Sequence, residues 1–357
     1  MVLQNGPFVM ANFPLNVLII TPGFAADEND SATIPYLQDY VLALKNKIGA
    51  DHIKIITIHY PFIKKKYLWN GIEVFPVNGK NKKGLFRLYT IRQAVSIAKK
   101  LLKKDRYVLH SFWLTDAAMV GQFISKKYRL KHICTIMGQD AKASNKYLKY
   151  IDLDQITSVV LSKQLDDIFH MATGKQANHY IPLAIQKIHP LTNEKRNIDL
   201  LFAGSFIPLK HPEKFVETVI SLRTTFPEIK AVMIGEGNLF ADIQSMIRKT
   251  DNGMHIELTG NIPRAEVFRY MARSKILVHP SEYEGSATVF AEALAHGMHV
   301  ICFDVGRTFH ENIHVCENDG DMITQTKLLM HKQLNFEPLQ EMTIDASADA
   351  YITIYNS

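Results

Sequence analysis

Two carboxylates, Glu284 and Glu292, stand eight residues apart in the segment 283–300, directly after an apolar run at 275–280. Glu284 and Gly285 fall in a strand-to-helix turn. Ser286, Ala287 and Thr288 open a helix that carries Glu292. The first N–H groups of a helix have no partner within it, which makes its start an anion site suited to a diphosphate. The small side chains of Ser286 and Ala287 let a ligand approach that backbone. If the stretch is helical throughout, the carboxylates lie up to ~12 Å apart. Each can accept two hydroxyl hydrogen bonds, so one can address a sugar and the other a ribose, with the diphosphate between them. The same spacing also fits two solvated glutamates on an ordinary helix.

Further residues suited to phosphate contact precede this segment. Gly204, Ser205 and Lys210 follow the apolar run 200–203, Gly235-Glu236-Gly237 follows 231–234, and Leu258-Thr259-Gly260 comes next. The run from Glu284 to Ile301, E-G-S-A-T-V-F-A-E-A-L-A-H-G-M-H-V-I, resembles the E-x7-E signature of retaining glycosyltransferases of family 4, which have the GT-B fold. The resemblance covers roughly residues 199–306. It implies a nucleoside-diphosphate-sugar donor bound by Gly204, Ser205, Lys210, Gly235, Gly237, Glu284, Gly285, Ser286, Ala287, Thr288 and Glu292. Lys210 would neutralise the leaving diphosphate, Glu292 would bind the ribose and Glu284 the transferred sugar. It also implies a front-face mechanism with no protein nucleophile, no metal and no cofactor beyond the donor. Ser205 is a departure, since the family commonly carries arginine there.

The first half resembles the family less. His110-Ser111-Phe112-Trp113-Leu114 is similar to the histidine loop lining the acceptor side of the cleft, which makes His110 a catalytic candidate and Trp113 an acceptor-side one. Met137-Gly138-Gln139-Asp140 is similar to an H-G-x-D turn in which Met replaces His, and it adds Asp140. The loop holding Gly23, Asp27, Glu28 and Asn29 stands where many relatives have a Gly-Gly loop. Its acidic residues suit acceptor hydroxyls, or simply a solvated loop.

What must position these groups is legible as rhythm. Apolar runs at 17–21, 53–58, 107–110, 132–136 and 158–161 alternate with amphipathic stretches such as 34–47 and 92–103. A second series has runs at 200–203, 231–234, 256–258, 276–278 and 300–303, with helices at 212–225, 240–248, 264–273 and 288–296. Strict alternation implies parallel sheets with right-handed crossovers. The expected fold is α/β: two Rossmann-like doubly wound domains, residues 1–186 and 187–339, facing across a cleft where ligands bind at the strands' carboxyl ends. Residues 340–357 are expected to pack back on the first domain, and the polar segment 186–197 reads as the linker.

Composition narrows the class further. The chain has 357 residues, 47% of them apolar and 21% charged, the profile of a globular protein. Residues 1–185 hold 25 Lys and Arg against 13 Asp and Glu, whereas the remainder holds 16 against 22. That asymmetry suggests a first half that meets something anionic. An amphipathic basic helix near residues 92–104 suits a membrane surface. No nucleic-acid-binding module accompanies the lysines. Residues 1–13 read as a loose leader lacking the layout of a signal peptide or a spanning helix. Three scattered cysteines argue for a reducing cytoplasm. His310-Glu311-Asn312-Ile313-His314 matches the zinc-peptidase pattern H-E-x-x-H, and Asp152-Leu153-Asp154 matches D-x-D, but both sit in unsuitable contexts. The expected protein is a metal-independent glycosyltransferase of cell-surface polysaccharide synthesis. It would use a glycan or lipid-linked acceptor in the cytoplasm, with possible peripheral contact at the membrane. The rival reading is a GT-B protein that binds nucleotide-sugar without transferring it.

Overall fold

Two parallel sheets account for nearly all the apolar runs. The structure, a computed structural model, describes residues 15–31, 33–182, 184–185, 195–250, 256–283, 288–306, 310–338 and 343–357. The first domain comprises β1 (Val17–Gly23), α1 (Pro35–Ile48), β2 (Ile53–Tyr60), β3 (Tyr67–Trp69), β4 (Ile72–Pro76), α2 (Leu85–Leu101), β5 (Val108–Phe112), α3 (Asp116–Tyr128), β6 (His132–Ile136), β7 (Thr157–Val160), α4 (Lys163–Thr173) and β8 (His179–Tyr180). The second comprises β9 (Ile198–Ala203), α5 (Pro212–Leu222), β10 (Ala231–Ile234), α6 (Phe240–Thr250), β11 (Ile256–Gly260), α7 (Arg264–Arg273), β12 (Ser274–His279), α8 (Thr288–Ala295), β13 (His299–Phe303), β14 (Ile313–Cys316) and α9 (Asp319–His331). A last helix, α10 (Ile344–Asn356), follows.

The second sheet runs β11-β10-β9-β12-β13-β14, the doubly wound order with its switch point between β9 and β12. The first runs β3-β4-β2-β1-β5-β6-β7-β8, with the switch between β1 and β5; among the described residues β3 with β4 is its one antiparallel pair. Alternate side chains of each central strand serve opposite faces. In β1, Val17 and Ile19 join the core under α1, while Leu18 and Ile20 join the core under α2 and α3. Burial on both faces is why these strands read as unbroken apolar runs. Prolines at the first helical position start α1 and α5, where the missing N–H costs nothing.

α10 packs on α1 and belongs to the first domain. Its Tyr351, Ile354 and Tyr355 are buried in that core, Tyr355 Oη meets Tyr40 Oη, and Lys47 pairs with Asp349 at 2.7 Å. A bridge between Ile185 and Thr343 brings both ends of the crossing together. Most of the expected linker, 186–194, lies outside the described residues. Among the described residues no helix is long and apolar enough to cross a membrane.

Candidate functional site

A cavity of ≈ 530 Å³ opens at the switch point of the second sheet, with Ser31 and Pro35 of the first domain on its opposite wall. Ala203 ends β9, Ile234 ends β10 and His279 ends β12, so the carboxyl ends of three strands form its floor. Gly204, Ser205, Lys210, Gly235, Thr288 and Glu292 all line it. Residues 88 positions apart in sequence, Gly204 and Glu292, are thus gathered into one pocket.

The glycines hold two loops against each other. Gly235 has φ +138°, and a Cβ there would fall 1.9 Å from the Gly204 carbonyl oxygen. At Gly237 a Cβ would meet the Phe206 carbonyl oxygen at 2.3 Å. The clasp is closed by backbone bonds: Gly204 N–H donates to Ile234 O at 3.0 Å and Phe206 N–H to Glu236 O at 2.9 Å. Gly237 therefore shapes the pocket without lining it. Lys210 ends a short turn, Pro208–Lys210, that leads into α5. Glu284, Gly285, Ser286 and Ala287 lie outside the described residues.

Glu292 is buried and not alone. Arg264 reaches its Oε1 with Nη2 at 2.6 Å and Nε at 3.1 Å, and donates from Nη1 to Asp39 Oδ2 of α1 at 2.6 Å. Burial pushes the Glu292 carboxyl up, and the guanidinium beside it opposes that rise. Burial alone would lower Arg264, but the two carboxylates outweigh it and raise it. Residue reading did not find Arg264 or Asp39 as parts of the site. The available signals were a basic residue opening the helix after β11, and a carboxylate among the buried positions of α1. Ile262, Val267 and Met271 were also missed; they give the pocket an apolar wall.

The first-half candidates divide differently. His110 is a correction: it is fully buried beneath α10. Its Nδ1 bonds Tyr355 Oη at 2.5 Å and its Nε2 bonds Thr135 Oγ1 at 2.8 Å. Burial holds its pKa well below the usual histidine range. It lies among Tyr40, Phe112 and Tyr351, away from the cleft, because the α10 tyrosines cover that strand. Asp140 is buried as well, and burial lifts its pKa to about 6 against several backbone hydrogen bonds. It accepts from Gly138 N at 2.7 Å and Leu114 N at 2.8 Å, so it ties together the loops after β6 and β5. Trp113, at φ +67°, packs beside that junction. Gly23 ends β1 against Tyr60. Asp27 caps its own turn through Asn29 N at 2.8 Å, and Glu28 accepts from Asn70 N at 2.9 Å. Asp27, Glu28 and Asn29 are exposed outside the cavity, whose near wall is formed instead by Ser31 and Pro35.

The two discounted metal patterns have other geometry. His314 lies in strand β14 with its Nε2 3.1 Å from His299 Nδ1, so His310 and His314 do not share a helix face. Asp152 caps a short turn by accepting from Asp154 N at 3.2 Å. Among the described residues no group of three or more His, Cys, Asp or Glu side chains gathers to hold a metal ion.

Two doubly wound domains that close on a cavity at the second switch point define the GT-B architecture. Residues 185–314 match the family model of glycosyl transferases group 1. The chain is 29% identical over 220 residues to an uncharacterised glycosyltransferase of Methanocaldococcus jannaschii, covering 60% of each. It is 32% identical over 287 residues to the phosphatidylinositol N-acetylglucosaminyltransferase gpi3 subunit of Schizosaccharomyces pombe, covering 76% of this chain and 63% of that one. It thus spans under two thirds of the length of these curated relatives. Among solved structures, sucrose-phosphate synthase of Thermosynechococcus elongatus superposes with a TM-score of 0.70 at 14% identity, covering 95% of this chain and 94% of that one. HepE of Anabaena, solved with UDP, superposes at 0.66 and 14% identity, covering 96% and 95%. These similarities extend the shared fold over almost the whole chain.

Proposed function

We propose that the protein transfers a sugar from a nucleoside diphosphate to a hydroxyl of a glycan or lipid-linked glycan, with retention of configuration, in the synthesis of a surface polysaccharide. The observation that carries this reading is the composition of the cavity lining. Gly204, Ser205 and Gly235 backbone, Lys210 and Thr288 at the start of α8 suit a diphosphate. Ile262, Val267 and Met271 in the same lining suit the flat apolar face of a base. Glu292, held by Arg264 and lining the same cavity, is assigned to the ribose. Glu284, eight residues before it, is assigned to the sugar.

The protein's share of the chemistry is positioning and stabilisation of the charge that develops on the leaving phosphate, with Lys210 as its cation. The departing phosphate itself takes the acceptor proton. No protein nucleophile and no metal is needed. UDP in HepE supports a uridine nucleotide as the first donor to try.

The test is thermal stabilisation against a panel of nucleoside diphosphates, followed by transfer assays with the sugar form of the best one. A ligand at about 100 times its dissociation constant stabilises by ~2.7 kcal/mol. Proton NMR of the product should show the donor's anomeric configuration, with excess EDTA leaving turnover nearly unchanged. An inverted product, or activity lost to EDTA and restored by manganese, overturns the corresponding part of the reading.

A further inference from the structure

Single exposed apolar side chains are ordinary on a protein surface, whereas a contiguous group of large ones is not. Phe62 and Ile63 are exposed just after β2, and Leu85, Phe86, Leu88 and Tyr89 are exposed in the first turns of α2. Leu85 keeps 85% of its surface and Phe62 59%. Lysines join the two segments: Lys80 Nζ lies 5.8 Å from the Phe62 ring and Lys82 Nζ 4.8 Å from the Phe86 ring. α2 is anchored in the core by Thr90, Ala94, Val95 and Ala98, and its leading turns have no apolar task within the fold. The charge around them has one sign. From residue 61 to residue 104 the chain carries 12 Lys and Arg and a single acid, Glu73. That acid is engaged by Lys54 and Lys66.

We infer that this patch docks the first domain on an anionic lipid bilayer, with the six apolar side chains entering the acyl boundary and the lysines among the headgroups. The combination selects a bilayer over other anionic partners. A polynucleotide would meet the lysines but leave Leu85 and Leu88 in water. A second copy placed face to face would bring two strongly basic surfaces together. A bilayer satisfies both halves: each Lys or Arg near an anionic surface contributes about 1 kcal/mol, and the apolar side chains gain a medium of their own kind.

The surface differs from the one expected from sequence, residues 92–104. There Val95 and Ala98 face the sheet, and Leu101 and Leu102 pack against the same core. The docking face is the opposite end of the helix.

Its position deepens the proposed transfer reaction, on which this part of the inference rests. The segments after β2 and β4 leave the sheet at its carboxyl edge, the edge that borders the cleft. Tyr60 Oη donates to Asp30 Oδ2 at 3.0 Å, and the next residue, Ser31, walls the cavity. An acceptor whose lipid stays in the bilayer could therefore present its glycan at the cleft mouth.

The experiment is co-sedimentation with vesicles of phosphatidylcholine alone and with about a third phosphatidylglycerol. Wild type should bind the second and not the first. Leu85→Ser with Leu88→Ser, and separately Phe62→Ser with Ile63→Ser, should weaken binding about ten-fold or more while leaving the melting temperature unchanged. Lys82→Glu with Lys83→Glu should do the same. Lys99→Glu with Lys100→Glu, more than ~15 Å along the helix and beyond the ~8 Å screening length, should matter far less. Wild-type binding by the serine variants, no binding by wild type, or a dimer that the serine changes dissolve each overturns the inference. Turnover with a water-soluble acceptor is measured beside these and should be unaltered in the serine variants, which keeps failure of docking distinct from failure of the transfer reading.

Discussion

Arg264 and Asp39, 225 residues apart, meet at 2.6 Å across the boundary between the two domains. The same guanidinium grips Glu292, so one side chain couples domain approach to the carboxylate at the cavity wall. Lys142 from the first domain, 3.5 Å from the centre of the Tyr283 ring of the second, is another contact across this boundary.

Removing the guanidinium strands two buried carboxylates, which typically costs about 3–5 kcal/mol. Arg264→Gln should therefore lower the urea midpoint strongly and weaken nucleotide binding, since Glu292 is no longer held. Asp39→Asn removes only the charge of the cross-domain arm, and should cost about 1.5–3 kcal/mol with nucleotide affinity nearly intact. Calorimetric titration beside urea unfolding separates the two. Equal nucleotide affinity in wild type and Arg264→Gln would sink the coupling.

Three substitutions divide the donor. Glu292→Gln should weaken free nucleoside diphosphate and full donor alike. Glu284→Gln should spare the nucleotide and impair donor binding and turnover. Lys210→Ala should reduce turnover most, because its charge matters increasingly as the phosphate leaves. Each lost charge-assisted bond is worth about 1.5–3 kcal/mol. Wild-type rates in both Glu284→Gln and Lys210→Ala would refute the assigned site.

The loop clasp makes a steric prediction. Gly235→Ala places a methyl 1.9 Å from a backbone oxygen at a φ of +138°, so the loops must part and nucleotide binding should be lost. Gly204→Ala meets nothing nearer than 3.9 Å and should keep its melting temperature within about 1 °C, a shift of less than about 1 kcal/mol for a chain of this size. Comparable losses at both positions would show that the clasp is not what shapes the pocket.

Buried neutral histidines set a pH dependence. Burial lowers His110 well below its ordinary value and takes His132 down to about 3. Such groups bind a proton in the unfolded chain but not in the folded one. Stability is therefore full above the unfolded pKa of ~6.5 and falls as pH drops below it, by about 1.4 kcal/mol per pH unit per group. Urea midpoints between pH 7.5 and pH 5 should show this slope, reduced by about one proton in His110→Gln. Equal slopes in wild type and His110→Gln would exclude the mechanism, since the raised carboxyl of Asp140 opposes the histidines equally in both.

Central strands were the most legible elements, because burial on both faces leaves little but apolar residues. β6 and β10 have the expected bounds, and α7 does too. The short pair β3 and β4 and the edge strand β8 escaped notice, since edge pairing needs few apolar residues. β14 was hidden under H-E-x-x-H, whose sequence reads as well on a strand as on a helix. In the site, the glycines and Lys210 were readable because local backbone needs leave local marks. The role of His110 was not readable: it depends on Tyr355, 245 residues on, and no local pattern encodes that meeting. The Arg264 bridge was invisible for the same reason.

The return of α10 also sets an order of events on the ribosome. The first domain's sheet is complete by β8, but the face holding Tyr40 and His110 stays uncovered until α10 emerges. At about 5–20 residues per second, the intervening second domain delays that cover by many seconds. The nascent first domain must wait half-finished while the second is made, with an aromatic surface open to chaperones or to misassembly. A break in the chain after the second domain would make that condition permanent.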